Sequence, residues 1–202
     1  MNQRKPVLFF LPIMVILLLA GCARQPPVMT GSTHARPMPF TVVSTLDSTA
    51  DVSSAASFGW APRMREILSD PHKGDMPEKE AIEKAITSAL TSKGYEYTWR
   101  SRQADLQVGY VVILDGALSD KELNSRYGIQ PSLNLQAPDS VRYEKGTLVI
   151  DITDRKTGRS VWRGALQGFA DLHLSKEDRQ DRLNDMVRFM LARFPARAKV
   201  PQ

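Results

Sequence analysis

The chain has 202 residues, enough for one domain of ordinary size together with a terminal segment. Its 27 lysines and arginines and 22 aspartates and glutamates give a net charge of +5, so it lacks the strong basic surplus of a nucleic-acid-binding protein. With a single cysteine it forms no internal disulfide. The fold must therefore rest on its hydrophobic residues, which make up 42% of the chain.

The amino terminus has the layout of a secretory signal peptide. A basic start, Arg4-Lys5, precedes an apolar run over 7–20, and Leu19-Ala20-Gly21, with its two small residues, lies directly before Cys22. The run is shorter than the roughly 20 residues that span a bilayer core, and Pro12 interrupts it, which disfavours a transmembrane helix. A buried or a reactive thiol is the alternative for the cysteine, but neither explains its place after the small residues.

This arrangement resembles the lipobox of bacterial lipoproteins. The resemblance implies that residues 1–21 are cleaved off before Cys22 and that Cys22 carries the lipid, whose several acyl chains make a stable membrane anchor. Ala23, by the same resemblance, favours the outer membrane, with the domain facing the periplasm. Residues 22–39 contain four prolines and little apolar periodicity, which predicts a semi-extended tether.

A single domain is predicted over residues 40–196, with a basic tail at 197–202. Apolar runs predict strands at 40–46, 57–60, 95–99, 104–114, 146–153 and 161–169. The second strand is expected to end at Pro62, and the fourth is apolar on both faces in its second half, which favours a central position. The last two form a hairpin, in which Gly164 and Gly168 indicate a bulge or a close backbone approach.

Three helices are predicted between these strands. The first has a long apolar stripe, the second is a short helix at about 120–126 inside an insert over 115–140, and the third precedes the carboxyl terminus. Capping residues mark the start of each helix: Asp75 and Glu78 for the first, Ser119 and Glu122 for the second, and Ser175 and Asp178 for the third. The helices are expected to end at Gly94, Gly128 and Pro195, respectively. The chain is therefore expected to be an α+β two-layer sandwich: a mixed, mostly antiparallel sheet of five or six strands with two main helices on one face.

Several short strings together resemble one known family. They are Phe58-Gly59-Trp60, Lys93-Gly94-Tyr95, Ala104-Asp105-Leu106 with Tyr110, Gly146-Thr147-Leu148-Val149-Ile150-Asp151, Val161-Trp162-Arg163-Gly164 and Phe194-Pro195. This pattern is similar to that of the bacterial lipoproteins of domain-of-unknown-function family 4136, over roughly residues 40–196. The resemblance implies an envelope lipoprotein. It transfers no catalytic residue, because none is established for the family.

The sequence holds no recognisable catalytic or metal-binding motif. Its histidines, His34, His72 and His173, lack ligand spacing, and a nucleophile elbow, a Walker loop and a dinucleotide-binding glycine motif are all missing. The carboxylates with the best claim to catalysis are Asp105, Asp151, Asp154 and Asp171. Capping, turn formation and pairing explain them more simply. The chain is therefore expected to be no enzyme and to need no cofactor or metal.

Three residues are candidates for partner binding: Leu133 and Leu135 in the insert, and Arg163 in the hairpin. Trp162 and Arg163 point to opposite faces of their strand, so Trp162 is assigned to the core, and Arg163 is expected to pair with Asp151. A basic cluster, formed by Arg188, Arg193, Arg197 and Lys199, either complements the dipole of the last helix or meets anionic lipid.

The leading functional hypothesis is a non-catalytic, lipid-anchored outer-membrane module that binds another envelope component. Its contact surfaces are expected to be the insert and an exposed sheet edge. The alternative is a module that binds lipid or glycan in a cleft between the insert and the sheet, and a less favoured one is an envelope hydrolase. A large apolar cavity would favour the second hypothesis, and paired buried carboxylates facing a pocket would favour the third.

Overall fold

A computed structural model of the chain describes residues 38–69, 79–114, 117–131, 133, 136 and 141–198. The signal peptide, Cys22 and nearly all of the tether lie outside the described residues, as do Asp75, Glu78, Leu135 and Lys199. None of the helices within the described ranges is long and apolar enough to cross a membrane.

The described residues form six strands and three helices. In chain order these are β1 (Phe40–Leu46), β2 (Ser57–Leu68), α1 (Lys79–Ser92), β3 (Glu96–Tyr97), β4 (Leu106–Leu114), α2 (Asp120–Tyr127), β5 (Tyr143–Asp154), β6 (Ser160–Asp171) and α3 (Lys176–Met190). A short 3₁₀ turn, Leu191–Arg193, follows α3. The strands lie in one sheet in the order β1-β6-β5-β4-β2-β3.

The sheet is mixed. β1, β6, β5 and β4 pair antiparallel, whereas β2 runs parallel to both β4 and β3. Parallel neighbours need a long crossover connection, and the segment with α1 supplies it between β2 and β4. The predicted α+β class and mixed sheet are therefore confirmed, and β4 is central as its apolar second half indicates.

Strand β2 corrects the predicted end at Pro62. The strand continues to Leu68, with an irregularity in its pairing to β4 between Trp60 and Arg65. On its other side β2 pairs with β3 only over Ser57–Phe58, so no described strand covers the edge beyond Phe58. Pro62 lies at this edge and within the irregular stretch, where its missing N–H removes no hydrogen bond between strands. The strand is therefore not broken at Pro62.

Alternation along β4 separates two hydrophobic clusters. Val108, Tyr110, Val112 and Leu114 belong to a large cluster with residues of α1 and α3, whereas Val111 and Ile113 belong to a smaller cluster with Leu123 of α2. Because neighbouring residues of a strand point to opposite faces, the clusters lie on opposite sides of the sheet. We call these sides the α1/α3 face and the α2 face.

Local capping defines both ends of α2, the start of α3 and the stop after α1 as predicted, whereas α3 ends at Met190 and a 3₁₀ turn separates it from Pro195. Ser119 and Glu122 form a complete capping box for α2, and Gly128 ends that helix with φ of 63°. The side chain of Ser175 accepts the backbone N–H of Asp178 at the start of α3. Gly94, just past α1, has φ of 92°, a conformation that glycine adopts without strain.

Candidate functional site

A cavity of about 290 Å³ opens on the α1/α3 face, between α3, the start of α1 and strands β4, β5 and β6. Its lining is mainly apolar and includes Val112, Leu114, Leu148, Leu166, Leu183 and Met186. The volume is close to the lower end of the roughly 300–1,000 Å³ that small-molecule sites occupy. We therefore treat this cavity as the candidate functional site.

Two glycines create the hollow in the sheet. Gly146 of β5 and Gly168 of β6 are directly opposed partners, and both line the cavity. A Cβ on Gly146 would lie 3.2 Å from Leu114 Cδ2, and one on Gly168 would lie 3.1 Å from Phe40 Cβ and 3.3 Å from Met186 Cε. Because neither position carries a side chain, neighbouring side chains approach the backbone closely there, and the cavity is bounded by backbone at these two positions.

The rim of the cavity is more basic than acidic. Lys176, Arg179 and Arg182 line it from the first turns of α3. Burial lowers the pKa of the Arg182 guanidinium, whose Nη2 donates to the carbonyl oxygen of Phe169 at 3.2 Å. An anion at the rim would offset the cost of that burial.

The two acids at the rim do not form a catalytic pair. Glu144 and Asp171 lie on neighbouring strands in consecutive register positions, so their side chains point to opposite faces. The Arg142 guanidinium donates to both oxygens of Asp171 from Nε and to Oδ2 from Nη2, and the backbone N–H of His173 also donates to Oδ1. The bonds from Arg142 keep the pKa of Asp171 below its usual value, so this carboxylate is ionised and engaged.

The chain enters the domain at the same end of the sheet. Phe40, the first residue of β1, is the register partner of the cavity residue Gly168. Met38 is buried just before it, in a small cluster with Leu133 and Phe169. The predicted tether therefore joins the domain beside the cavity.

The other carboxylates singled out from the sequence have structural partners. Asp105 accepts the backbone N–H groups of Ala56 and Ser57 at 2.9 and 3.0 Å, which ties the start of β2 to the start of β4. Asp154 accepts from the N–H and the hydroxyl of Thr157 within the hairpin turn. Both are bound as turn and strand-end groups, in agreement with the simpler reading of the sequence.

Arg163 pairs with Asp151 as predicted, with Nε 2.9 Å from Oδ1. Asp151 is only 8% exposed, because the α2 face of the sheet is covered at this point. Nη1 of Arg163 donates to the carbonyl oxygen of Tyr127 at 2.6 Å, which fastens the end of α2 to the sheet. Trp162 is buried, as assigned.

Leu133 of the insert is a core residue in this structure. It is 4% exposed, and its backbone N–H donates to the buried side chain of Gln167 at 2.7 Å. The side chain of Lys145 donates to the Leu133 carbonyl oxygen. A partner-binding role for Leu133, Leu135 and Arg163 stays a prediction, and the first and last of these side chains are engaged within the domain.

The basic cluster at the carboxyl terminus takes part in surface ion pairs. Arg188 pairs with Asp185 at 2.8 Å, and Arg197 pairs with Glu96 at 3.2 Å. His173 is exposed near the cavity rim. Within the described ranges, no group of three histidine, cysteine, aspartate or glutamate residues is arranged to hold a metal ion.

The sequence model of the family described as "Domain of unknown function (DUF4136)" matches residues 42–196. The chain belongs to the DUF4136 family. The match covers the described domain from β1 to the end of the 3₁₀ turn, as the resemblance implied. No curated protein sequence matches this chain significantly.

Solved structures resemble the DUF4136 domain at low sequence identity. A DUF4136 family protein from Bacteroides thetaiotaomicron is 16% identical, with a TM-score of 0.49, over 76% of this chain and 94% of that chain. The PelC dodecamer from Paraburkholderia phytofirmans is 10% identical, with a TM-score of 0.48, over 79% of this chain and 100% of that chain. A PDZ domain protein from Parabacteroides distasonis is 15% identical, with a TM-score of 0.44, over 80% of this chain and 37% of that chain.

Sequence reasoning did not locate the cavity of this DUF4136 domain. A cleft was predicted between insert and sheet, but the described part of that interface is filled by Leu123, Ile129 and Leu133. The cavity lies on the opposite face. The alternation of the predicted hairpin strands places Gly146 and Gly168 on the inward face, which is the one feature of the sequence that points to the cavity. That the two glycines lie directly opposite each other depends on the register of the hairpin.

Proposed function

We propose that this DUF4136 protein is a non-catalytic, lipid-anchored binding module of the bacterial cell envelope, whose cavity holds the acyl chain of an anionic amphiphile. The observation that carries the proposal is the apolar cavity floored by Gly146 and Gly168. Each methylene group transferred from water into such a site contributes about 0.8 kcal/mol. The basic rim formed by Lys176, Arg179 and Arg182 suits a negatively charged head group.

The position of the cavity supports a ligand that comes from the anchoring membrane. The tether joins the domain at Phe40, beside the cavity residue Gly168. With a lipid on Cys22, as the lipobox implies, we expect a ligand from that bilayer to reach the domain at the end where the chain enters it, which is the cavity end. Ala23 favours the outer membrane as that bilayer, with the domain on its periplasmic side.

A non-catalytic role is supported by the engagement of the carboxylates. Asp105 and Asp171 are bound by donors from the protein itself, and Glu144 and Asp171 point to opposite faces of the sheet. General acid–base chemistry on a glycosidic bond needs two carboxylates that face one site. The cavity instead offers apolar surface with a charged rim, which is the composition of a binding site.

The proposal is tested by filling the cavity. Ala170 lines it and is exposed through its opening, so Ala170→Leu places a larger apolar side chain inside without disturbing the buried core. The mature chain, residues 22–202 with Cys22→Ser, is titrated with a fluorescent long-chain fatty acid. Displacing two or more methylene groups is expected to weaken binding at least about tenfold.

Ala192→Leu is the matched control. Ala192 is exposed in the 3₁₀ turn and does not line the cavity, so this variant should bind the fatty acid as the parent does. Absence of fatty-acid binding by the parent chain, or equal binding by the parent and Ala170→Leu, would contradict the proposal.

Strand β1 favours a second candidate, a protein partner. β1 is an edge of the sheet, and Leu46 at its end is 48% exposed. An edge strand presents unpaired backbone groups to which a partner can add a strand. A photo-crosslinker at position 46, used in cells, is expected to yield one dominant protein adduct, and only diffuse adducts would count against this candidate.

A further inference from the structure

A second concave surface lies at the open edge of the sheet, beside α1. This aromatic groove has a volume of about 560 Å³ and is lined by Trp60, Tyr97 and the outer residues of the helix, among them Thr87, Ser88, Thr91 and Ser92. It shares no lining residue with the cavity. Its chemistry is therefore independent of the proposed amphiphile site.

The aromatic side of the groove is held in place from behind. The rings of Trp60 and Tyr97 are 6.3 Å apart, and Trp60 packs edge-on against Tyr110 at 5.9 Å. The Arg65 guanidinium lies over the Trp60 ring at 5.5 Å and donates from Nε to Glu83, which also accepts from the Tyr110 hydroxyl. Tyr97 is 46% exposed, so its ring presents surface to a ligand without needing to move.

The opposite side of the groove is a row of hydroxyl groups. Thr87 and Thr91, like Ser88 and Ser92, are spaced four residues apart on α1 and so occupy the same side of the helix. Serine and threonine are weak helix formers, so this composition does not serve the helix itself. The Ser92 hydroxyl donates to the Ala89 carbonyl oxygen at 2.7 Å. A hydroxyl can both donate and accept a hydrogen bond, which allows the other members of the row to pair with a ligand hydroxyl in either direction.

The groove carries little net charge. Among the described residues that line it, Lys84 is the only base, and Glu83, the only acid, is engaged by Arg65. A nucleic acid needs a surplus of bases to neutralise its phosphates, and an acyl chain needs a continuous apolar lining. Neither condition is met by one exposed aromatic ring, Tyr97, beside a row of hydroxyl groups.

We infer that the aromatic groove binds a neutral saccharide chain. A pyranose ring has an apolar face of C–H bonds, which the negative face of an aromatic ring attracts, and a rim of hydroxyls for hydrogen bonding. The exposed ring of Tyr97 supplies the stacking surface, Trp60, which is 9% exposed, supports that ring from the core side, and the hydroxyl row of α1 faces the sugar hydroxyls. This combination matches the two surfaces of a sugar ring.

The groove lies far from the tether. Trp60 of β2 is the register partner of Val108 of β4. From Val108 the same row of partners crosses the sheet through Ile152 and Trp162 and reaches Leu46, the last residue of β1. The tether joins at the other end of β1, six residues or about 20 Å away along the strand. A saccharide bound in the groove is therefore held away from the anchoring surface.

The inference is tested by nuclear magnetic resonance on the mature chain carrying Cys22→Ser. The protein is titrated with a linear tetrasaccharide of N-acetylglucosamine and, in a separate experiment, with a linear tetrasaccharide of glucose. The chain has three tryptophans, and their indole N–H signals report on different places. We expect the Trp60 signal to shift with one of these sugars. The signal of Trp162, which is 1% exposed in the core, should stay in place.

Variants of Tyr97 show whether the shift comes from the groove. Tyr97→Ala is expected to weaken binding about tenfold, because it removes the stacking surface, whereas Tyr97→Phe retains it. Phe189→Ala is the control, since Phe189 is an aromatic residue of similar exposure, 50%, on α3. No shift with either tetrasaccharide, or binding that Tyr97→Ala leaves unchanged, overturns the inference without affecting the cavity proposal.

Discussion

At the scale of single residues, Trp162 shows how closely the α1/α3 face is packed. Its ring is 1% exposed and lies edge-on to Phe194 at 6.0 Å. The ring extends over Gly164, where an added Cβ would lie 2.8 Å from Trp162 Cζ2 and 3.1 Å from Met190 Cε. The glycine is thus required by the tryptophan two residues earlier. The sequence predicts a bulge or a close backbone approach at Gly164; the structure instead shows regular strand pairing and a close approach of side chains.

Gly164→Ala should therefore be strongly destabilising. The added methyl group cannot be accommodated unless the Trp162 ring shifts within a packed core, and overpacking of this kind costs about 1–3 kcal/mol. Urea denaturation of the variant measures the loss in the free energy of unfolding. Gly158→Ala is the comparison: its site has φ of +69° but open space, so backbone strain alone acts there. A smaller loss at Gly164 than at Gly158 would show that the ring adapts freely.

Asp105 is a second residue whose role is tested by substitution and pH. Burial opposes its ionised form, but the donors of Ala56 and Ser57 outweigh this, so the pKa of Asp105 is lowered. Asp105→Ala removes charge-assisted hydrogen bonds and is expected to reduce the free energy of unfolding by about 2 kcal/mol at neutral pH. Asp51→Ala, which removes only a local bond to Ser53, should have a much smaller effect.

The pH dependence of this difference follows from the direction of the shift. The folded state binds the Asp105 proton more weakly than the unfolded chain does. The stabilisation is therefore complete above the ordinary carboxylate pKa of about 4 and is lost as the pH falls through the lowered folded value. The difference between parent and Asp105→Ala should shrink on acidification, and a difference that grew instead would contradict this assignment.

At the scale of elements, α2 depends on the hairpin beneath it. Leu123 is its one fully buried side chain, so little apolar area attaches this helix. The Arg163 guanidinium bridges the Asp151 carboxylate of β5 and the Tyr127 carbonyl oxygen at the end of α2. The same ion pair that joins the two strands of the hairpin therefore also positions the helix of the insert.

A double-mutant cycle of Arg163→Ala and Asp151→Ala measures this coupling. We expect an interaction energy of about 1–2 kcal/mol, above that of an exposed pair, because the two side chains are only 29% and 12% exposed. Amide hydrogen exchange in α2 should accelerate in Arg163→Ala. The matched control is Arg188→Ala, whose exposed pair with Asp185 should contribute less than about 0.5 kcal/mol. Additive single effects at 163 and 151 would exclude the coupling.

At the scale of the whole molecule, the sheet places two different surfaces at its two ends. The apolar cavity lies where β1 begins and the tether arrives, and the aromatic groove lies level with the end of β1. The register of four strand pairings sets this separation. The cavity and the aromatic groove therefore lie at opposite ends of the strands, and the chain enters the domain at the cavity end.

This arrangement predicts which end of the anchored protein lies near the bilayer. The chain has one cysteine, Cys22, whose thiol the proposed lipidation would block, so a single new cysteine can then be labelled specifically. A fluorophore at Glu177→Cys, beside the cavity rim, should be quenched by nitroxide lipids in vesicles more strongly than one at Lys156→Cys in the β5–β6 turn. Both sites are exposed. Equal quenching, or stronger quenching at position 156, would reject the proposed orientation.

The elements that could be predicted from the sequence are those with local determinants. The capping box of Ser119 and Glu122, the stop at Gly128 and the start of α3 at Ser175 depend on residues within one helical turn. The pairing of Asp151 with Arg163 follows from the alternation of a hairpin whose turn is short. Short-range geometry of this kind leaves few alternatives, and these predictions are confirmed.

Tertiary structure alone decided the features that join distant segments. Nothing local indicates that β2 runs parallel to β4, or that its free edge allows the strand to continue past Pro62. The cavity exists because Gly146 and Gly168 meet opposite each other under α3, and the groove exists because Trp60 and Tyr97 meet beside α1. Periodicity assigns a residue to a face, but only the register and the packing of whole elements decide which residues share a site.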